Sequence, residues 1–114
     1  MSVDVEILWV PCGAQDLESW IALVDHEVVG HIYLLHERDD RLKFLDAWVH
    51  PEWRRKGIFR KLWEARWESV QARYSGKVAY AWCKPGSLPL LLEKGFETGE
   101  ICTYVELTVP SRDK

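Results

Sequence analysis

Residues 49–59 read VHPEWRRKGIF, and the fold turns on how this stretch is parsed. Pro51 cannot donate to a sheet ladder and biases His50 toward extended geometry, so the strand running up to Val49 must stop here. Gly57 tolerates positive φ, and the residues after it open a helix whose first N–H groups have no intrahelical acceptor. Those donors, together with the positive end of the helix dipole, suit an anion such as a phosphate. Arg54, Arg55 and Lys56 precede the glycine, and Arg60 and Lys61 follow it. Cations at a helix start oppose the macrodipole, so their density there implies either an anionic ligand or a solvated basic turn.

Outward from this turn, the hydrophobic period sets the elements. Residues 3–10 alternate, with Val3, Val5 and Ile7 on one face, and Pro11 and Gly13 close them off. Residues 20–24 and 28–35 are apolar runs separated by Asp25, His26 and Glu27, which reads as a hairpin. A polar turn over 37–40 leads into a strand over 42–49, completing a four-strand meander. From Ile58 the period changes: Phe59, Trp63, Trp67, Val70 and Tyr74 recur every three or four residues, and Ser75 and Gly76 end the helix. Residues 78–83 read as a strand apolar on both faces, expected to be buried and parallel. Pro85 and Gly86 turn the chain, Ser87 caps a short helix through Lys94, Gly95 ends it, and a last strand covers 101–109. The expected fold class is α+β: a mixed sheet, antiparallel meander first and one parallel crossover after it, with one long and one short helix.

A chain of 114 residues, nearly half of them hydrophobic, forms one domain with a real core, spanning 1–114. Its net charge of −3 speaks against a nucleic-acid partner, which calls for a broad basic surface. No apolar run approaches the roughly 20 residues of a membrane span, and the first residues lack the pattern of a secretory leader, so the expectation is a cytoplasmic protein without a membrane partner. Cys12, Cys83 and Cys102 are irregularly spaced, with no C-x-x-C, and indicate neither a disulfide framework nor a metal site. Seven tryptophans are more than one small core hides, so some are expected at the surface as binding anchors.

The spacing of Val49, Pro51, Arg54 and Gly57, directly after a strand and before a helix, resembles the acetyl-coenzyme A signature of the GCN5-related N-acetyltransferases. The core of that signature, (Q/R)-x-x-G-x-(G/A), is matched by Arg54, Arg55, Lys56, Gly57, Ile58 and Phe59, with Phe59 standing where the family has a small residue. Residues 90–96 (LLLEKGF) are similar to the family's closing segment on its last helix. The resemblance implies that main-chain groups of Trp48, Val49 and His50 pair with the pantetheine arm. It further implies that the backbone from Arg55 through Lys56, Gly57, Ile58 and Phe59 to Arg60 holds the pyrophosphate of acetyl-CoA, with Arg54 on phosphate or pinning the loop. The family inserts two helices between its first two strands, where this sequence has only residues 12–19. Those helices wall the acceptor site, so the groove is expected to be open or completed by a second subunit, as in a homodimer.

The activity implied is acetyl transfer to a primary amine of a small-molecule or protein acceptor. Such a reaction needs a neutral nucleophile, an oxyanion stabiliser and a proton source for the thiolate. The tyrosine that relatives carry four residues before the glycine of "GF" is Leu91 here, and the glutamate they carry on the fourth strand is absent. The catalytic candidates are therefore Asp46, the nearest carboxylate; Tyr80 and Cys83 on the crossover strand; and Tyr104 on the last strand. His31 and His50 are further candidate bases but have no visible partner. The two missing groups also support a second reading, a non-catalytic acyl-CoA-binding or protein-interaction module on a degenerate version of the fold.

Overall fold

Asp25 and His26 both adopt positive φ, 50° and 67°, and close a two-residue hairpin between β2 (Leu17–Val24) and β3 (Glu27–His36). The computed structural model describes residues 4–11, 16–38, 40–45, 47–82, 88–98 and 104–112. β1 (Glu6–Val10) pairs antiparallel with β2, and β3 pairs antiparallel with β4 (Arg41–Phe44), giving the expected meander. α1 (Ile58–Arg73) crosses over to β6 (Val78–Trp82), which lies parallel to β4. α2 (Leu88–Glu93), β7 (Glu97–Thr98) and β8 (Tyr104–Thr108) follow, and β8 inserts between β6 and β7. Cys12, Cys83 and Ser87 lie outside the described residues.

One face of the sheet forms the core. Trp20, Ala22 and Val24 of β2 and Val29, Ile32 and Leu34 of β3 are buried on the side of α1, whose buried stripe is Ile58, Leu62, Trp63, Arg66, Trp67 and Val70. Phe96, just after α2, closes an aromatic cluster with Phe44, Trp63 and Trp67, so both helices lie on the same side. Ion pairs Arg60–Glu93 at 3.2 Å and Lys94–Glu64 at 2.7 Å tie the helices at their edges. The crossover strand departs from expectation. Ala79 and Ala81 are buried, but Tyr80 is half-buried and Trp82 exposed, because no described element covers the second face of the sheet.

The strand predicted over 42–49 is broken in two. β3 pairs with β4 at residues 34–36 and with β5 (Trp48–Val49) at Gly30 and His31; past β4 Leu45 N–H still donates to Tyr33 O at 3.3 Å, and four residues on this side then span three on β3. Arg66 reaches in from the helix and donates from Nη1 to the carbonyls of Tyr33 and Leu45, at 2.8 and 2.9 Å, with its guanidinium 4.2 Å from the Phe44 ring centroid. β6 stays paired with β4 only as far as Lys43 and Tyr80. Beyond that point β5 and β6 diverge, and a gap opens in the sheet.

At the other end of α1 a carboxylate is fully enclosed. Glu18 shares the inward parity of Trp20 and Ala22, and its oxygens accept hydrogen bonds from Trp9 Nε1 (2.8 Å), Tyr74 Oη (2.7 Å), Arg73 and His36. Burial alone pushes this carboxyl up; the bonds from Arg73, His36, Tyr74 and Trp9 outweigh it and bring it from 4.5 down to about 2.

Candidate functional site

The break and the turn that follows build a cavity from main chain. His50 N–H donates to Val29 O at 2.8 Å, so strand alternation aims the N–H and C=O of Val49 away from β3, into the gap. The Val49 carbonyl is taken by Arg54 Nε at 2.9 Å, which pins the turn back onto β5. A 3-10 turn over Pro51–Trp53 is capped by His50, whose Nδ1 accepts from Glu52 N–H at 3.1 Å. Arg55 (φ 64°) and Gly57 (φ 82°) then reverse the chain so that α1 starts facing the gap. A Cβ on Gly57 would meet nothing within 4 Å, so its surroundings are open space rather than protein. α1 begins without a side-chain cap and without an acidic residue in its first turn, leaving its first N–H donors unmet by side chains.

These elements enclose a cavity of about 920 Å³. Of the ten residues the sequence pointed to, eight line it: Trp48, Val49, Arg54, Arg55, Gly57, Ile58, Phe59 and Arg60, with Pro89 and Leu90 of α2 on the opposite wall. His50 and Lys56 stand just outside its lining, the first serving the turn. Phe59 is half-buried and packs against the core, and Ile58 is fully buried. Arg60 pairs with Glu93, whereas Arg55 and Lys56 are exposed and make no ion pair among the described residues. The arrangement offers free backbone donors, a helix dipole and unpaired cations around an elongated space, which suits a phosphorylated ligand with an extended arm.

The proton-handling candidates are less concentrated. Tyr80 is not among the lining residues; its hydroxyl donates to Glu37 and Arg41 stacks 4.5 Å over its ring, on the uncovered face. Tyr104 opens β8 opposite Trp82, and its side chain, like Asp46 and Cys83, lies outside the described residues. Among the described residues no group of three metal-ligating side chains forms.

One group beside the cavity, Arg66, was not singled out by sequence pattern; its signal was a cation within an otherwise apolar helical stripe. His31 was named only as a base without a partner. It sits opposite Trp48 in the β3–β5 ladder, with ring centroids 5.3 Å apart, and its buried Nδ1 has no hydrogen-bond partner among the described residues.

Comparison with known proteins agrees with this geometry. The profile described as "Acetyltransferase (GNAT) domain" matches residues 15–98. No curated protein matches the sequence. Among solved structures, the chain is similar to the IAA acetyltransferase from Bacillus cereus, with TM-score 0.68 at 19% identity, covering 85% of this chain and 79% of that one. It is similar to an acetyltransferase of the GNAT family from Staphylococcus aureus, with TM-score 0.64 at 14% identity over 83% and 69% of the two chains. It is also similar to the PaiA N-acetyltransferase from Thermoplasma acidophilum in complex with coenzyme A, with TM-score 0.61 at 18% identity over 82% and 61%. Identities this low carry the fold, and the matched profile carries the family. No helix among the described residues is long and apolar enough to cross a membrane.

Proposed function

Because the chain belongs to the acetyltransferase (GNAT) family, we propose that it transfers an acetyl group from acetyl-coenzyme A to a primary amine of a small molecule or protein. The observation that carries this reading is the gap-facing N–H of Val49 on β5 beside an uncapped helix start in one cavity. Acetyl-CoA fits what the residues offer. The N–H groups at the start of α1, with Arg55 and Lys56, would hold the pyrophosphate and adenosine phosphates; Gly57 leaves them room; and the Val49 edge would hold the pantetheine arm.

When bound, the thioester supplies an activated acyl group. The rest of the work falls to the chain. Val49 N–H is oriented into the gap, where a fixed donor stabilises charge developing on a carbonyl oxygen. Arg66 and Arg54 hold that edge in place, one from the break before it and one from the turn after it. The amine approaches from the uncovered face, past Trp48 and Trp82. For proton movement we propose Asp46, Cys83, Tyr104 and Tyr80 as the groups to test. Asp46→Asn should lower turnover at least about tenfold, in the range of general acid–base contributions, while leaving acetyl-CoA affinity unchanged. Unchanged turnover removes Asp46 from the mechanism.

Isothermal titration with acetyl-CoA tests the reading directly, followed by thiol release in the presence of small amines and peptides. Micromolar binding and amine-dependent release are expected. Absence of binding at about 1 mM ligand, equivalent to less than roughly 4 kcal/mol of affinity, would overturn it.

A further inference from the structure

The face of the sheet opposite the helices is built to meet something. Of the seven large apolar side chains left exposed among the described residues, five are on it: Leu8, Val10, Val28, Trp48 and Trp82. With the half-buried Ile21, Leu23 and Leu35 between them, the continuous apolar surface is on the order of 600 Å², at the top of what a monomer ordinarily shows. The sheet is seven strands wide. Strands about 4.8 Å apart carrying residues over about 20 Å give a face of about 670 Å², somewhat under the roughly 800 Å² that each partner contributes to a standard-size complex.

The charges on this face identify the partner. Arg41 and Glu106 pair with each other at 3.3 Å, Glu37 accepts from Tyr80, and Glu97 lies beside Glu106 at the far edge of the sheet, beyond the apolar centre. Glu6 and Lys43 make no hydrogen bond or ion pair among the described residues, and they stand at diagonally opposite corners of the apolar surface. Register fixes this: Glu6 is level with Leu23 and Val28 at one end, and Lys43 is level with Leu35 and Tyr80 at the other, three strands away. One acidic and one basic corner on either side of an apolar centre is the pattern of a surface that matches its own rotated copy.

We propose that this face is a twofold interface with a second copy of the chain. The axis passes through the middle of the face, diagonal to the strands, and brings Glu6 of each protomer onto the partner's Lys43. With strand spacings of a regular sheet, the same rotation sets Trp82 against the partner's Leu23 and Val28, and Leu8 against the partner's Leu35. Trp48 falls near the axis. The strands of the two sheets cross steeply, as in orthogonal sandwiches. The consequence for catalysis rests on acyl transfer as read above; the assembly does not. In the dimer, the partner's Leu23 and Val28 wall the mouth of the gap beside Trp82, so the acceptor groove is completed by the second subunit.

Size-exclusion chromatography with light scattering tests the assembly without any substrate. The expected mass is twice the 13.4 kDa of the chain. Glu6→Lys and Lys43→Glu should each raise the dissociation constant at least about 100-fold, because each places two like-charge contacts in one interface. The doubly reversed protein, E6K with K43E, should dimerise again, which separates a broken interface from a broken fold. Acetyl-CoA binding should survive in all three variants. A wild-type monomer at every accessible concentration, or a dimer indifferent to both single reversals, overturns the proposal; loss of acetyl-CoA binding by the intact dimer would count against the functional reading alone.

Discussion

At the C-terminal end of α1, Arg73 and Tyr74 close on the buried carboxylate of Glu18, and His36 and Trp9 complete its shell. At the N-terminal end, Arg55 and Lys56 close on nothing within the described chain, and the helix starts without a cap. The same helix thus ends in a finished polar network and begins in an unfinished one. A buried charge with every valence met fixes the packing of its neighbours and has nothing left for a ligand. Backbone donors and exposed cations around an open cavity are met by water and stay available to an anion that displaces it.

Removing the finished network should have the largest effect. Glu18→Ala strands Arg73 and His36 beside an apolar hole, and breaking a buried, hydrogen-bonded ion pair costs about 3–5 kcal/mol. Thermal melts should record that loss, while acetyl-CoA affinity measured well below the melting temperature stays within about twofold. If affinity fell along with stability, the two ends of α1 would be coupled and the contrast would fail.

Gly57→Trp reverses that pattern. The indole would occupy the open space before the first turn, and acetyl-CoA affinity should drop at least about 100-fold, or roughly 2.7 kcal/mol. Stability should change by only about 1–2 kcal/mol, the cost of a side chain at positive φ. Undiminished binding calorimetry would mean that the ligand does not approach through Gly57.

Acid separates the two ends in a single titration. Glu18 has its folded pKa lowered from 4.5 to about 2, so the unfolded chain takes up this proton first as pH falls. The stabilisation is fully present above 4.5, declines between 4.5 and 2, and is gone below; it amounts to about 3 kcal/mol. Denaturant midpoints of wild type should fall across that window. Those of Glu18→Gln should start lower and lose correspondingly less.

The same contrast explains what the sequence revealed. The order of strands and helices, the hairpin at Asp25 and His26, and the turn from Pro51 to Gly57 were legible because each depends on residues adjacent in the chain. Glu18 was read as part of the connection before the strand at Trp20, and its partners come from 9 to 56 residues away, so no local pattern names them. The break between β4 and β5 stayed hidden for the same reason. Residues 42–49 alternate well enough for one strand, and it is the distant Arg66 that takes up the Leu45 and Tyr33 carbonyls. The crossover strand was read as buried on both faces because apolar composition does not report whether anything lies on top. Trp82 shows that nothing described does.

The smallest effect bears on how the unfinished end works. Arg55 and Lys56 are exposed, and each contact they make to a phosphate is screened by water and salt, contributing about 0.5 kcal/mol. Replacing both with alanine should weaken acetyl-CoA binding about three- to tenfold at low ionic strength. The salt dependence is more telling than the loss itself. Wild-type affinity should fall as salt rises, the double variant's should fall less, and the two should converge near 0.5 M, where the screening length shrinks to about 4 Å. Convergence would assign the cations to long-range attraction and leave the contact itself to the N–H groups of α1 and the edge of β5, which salt reaches weakly. A difference that persists at high salt would mean that Arg55 or Lys56 makes a close, desolvated contact. The cradle would then be finished by side chains when loaded, as the Glu18 network is finished without any ligand.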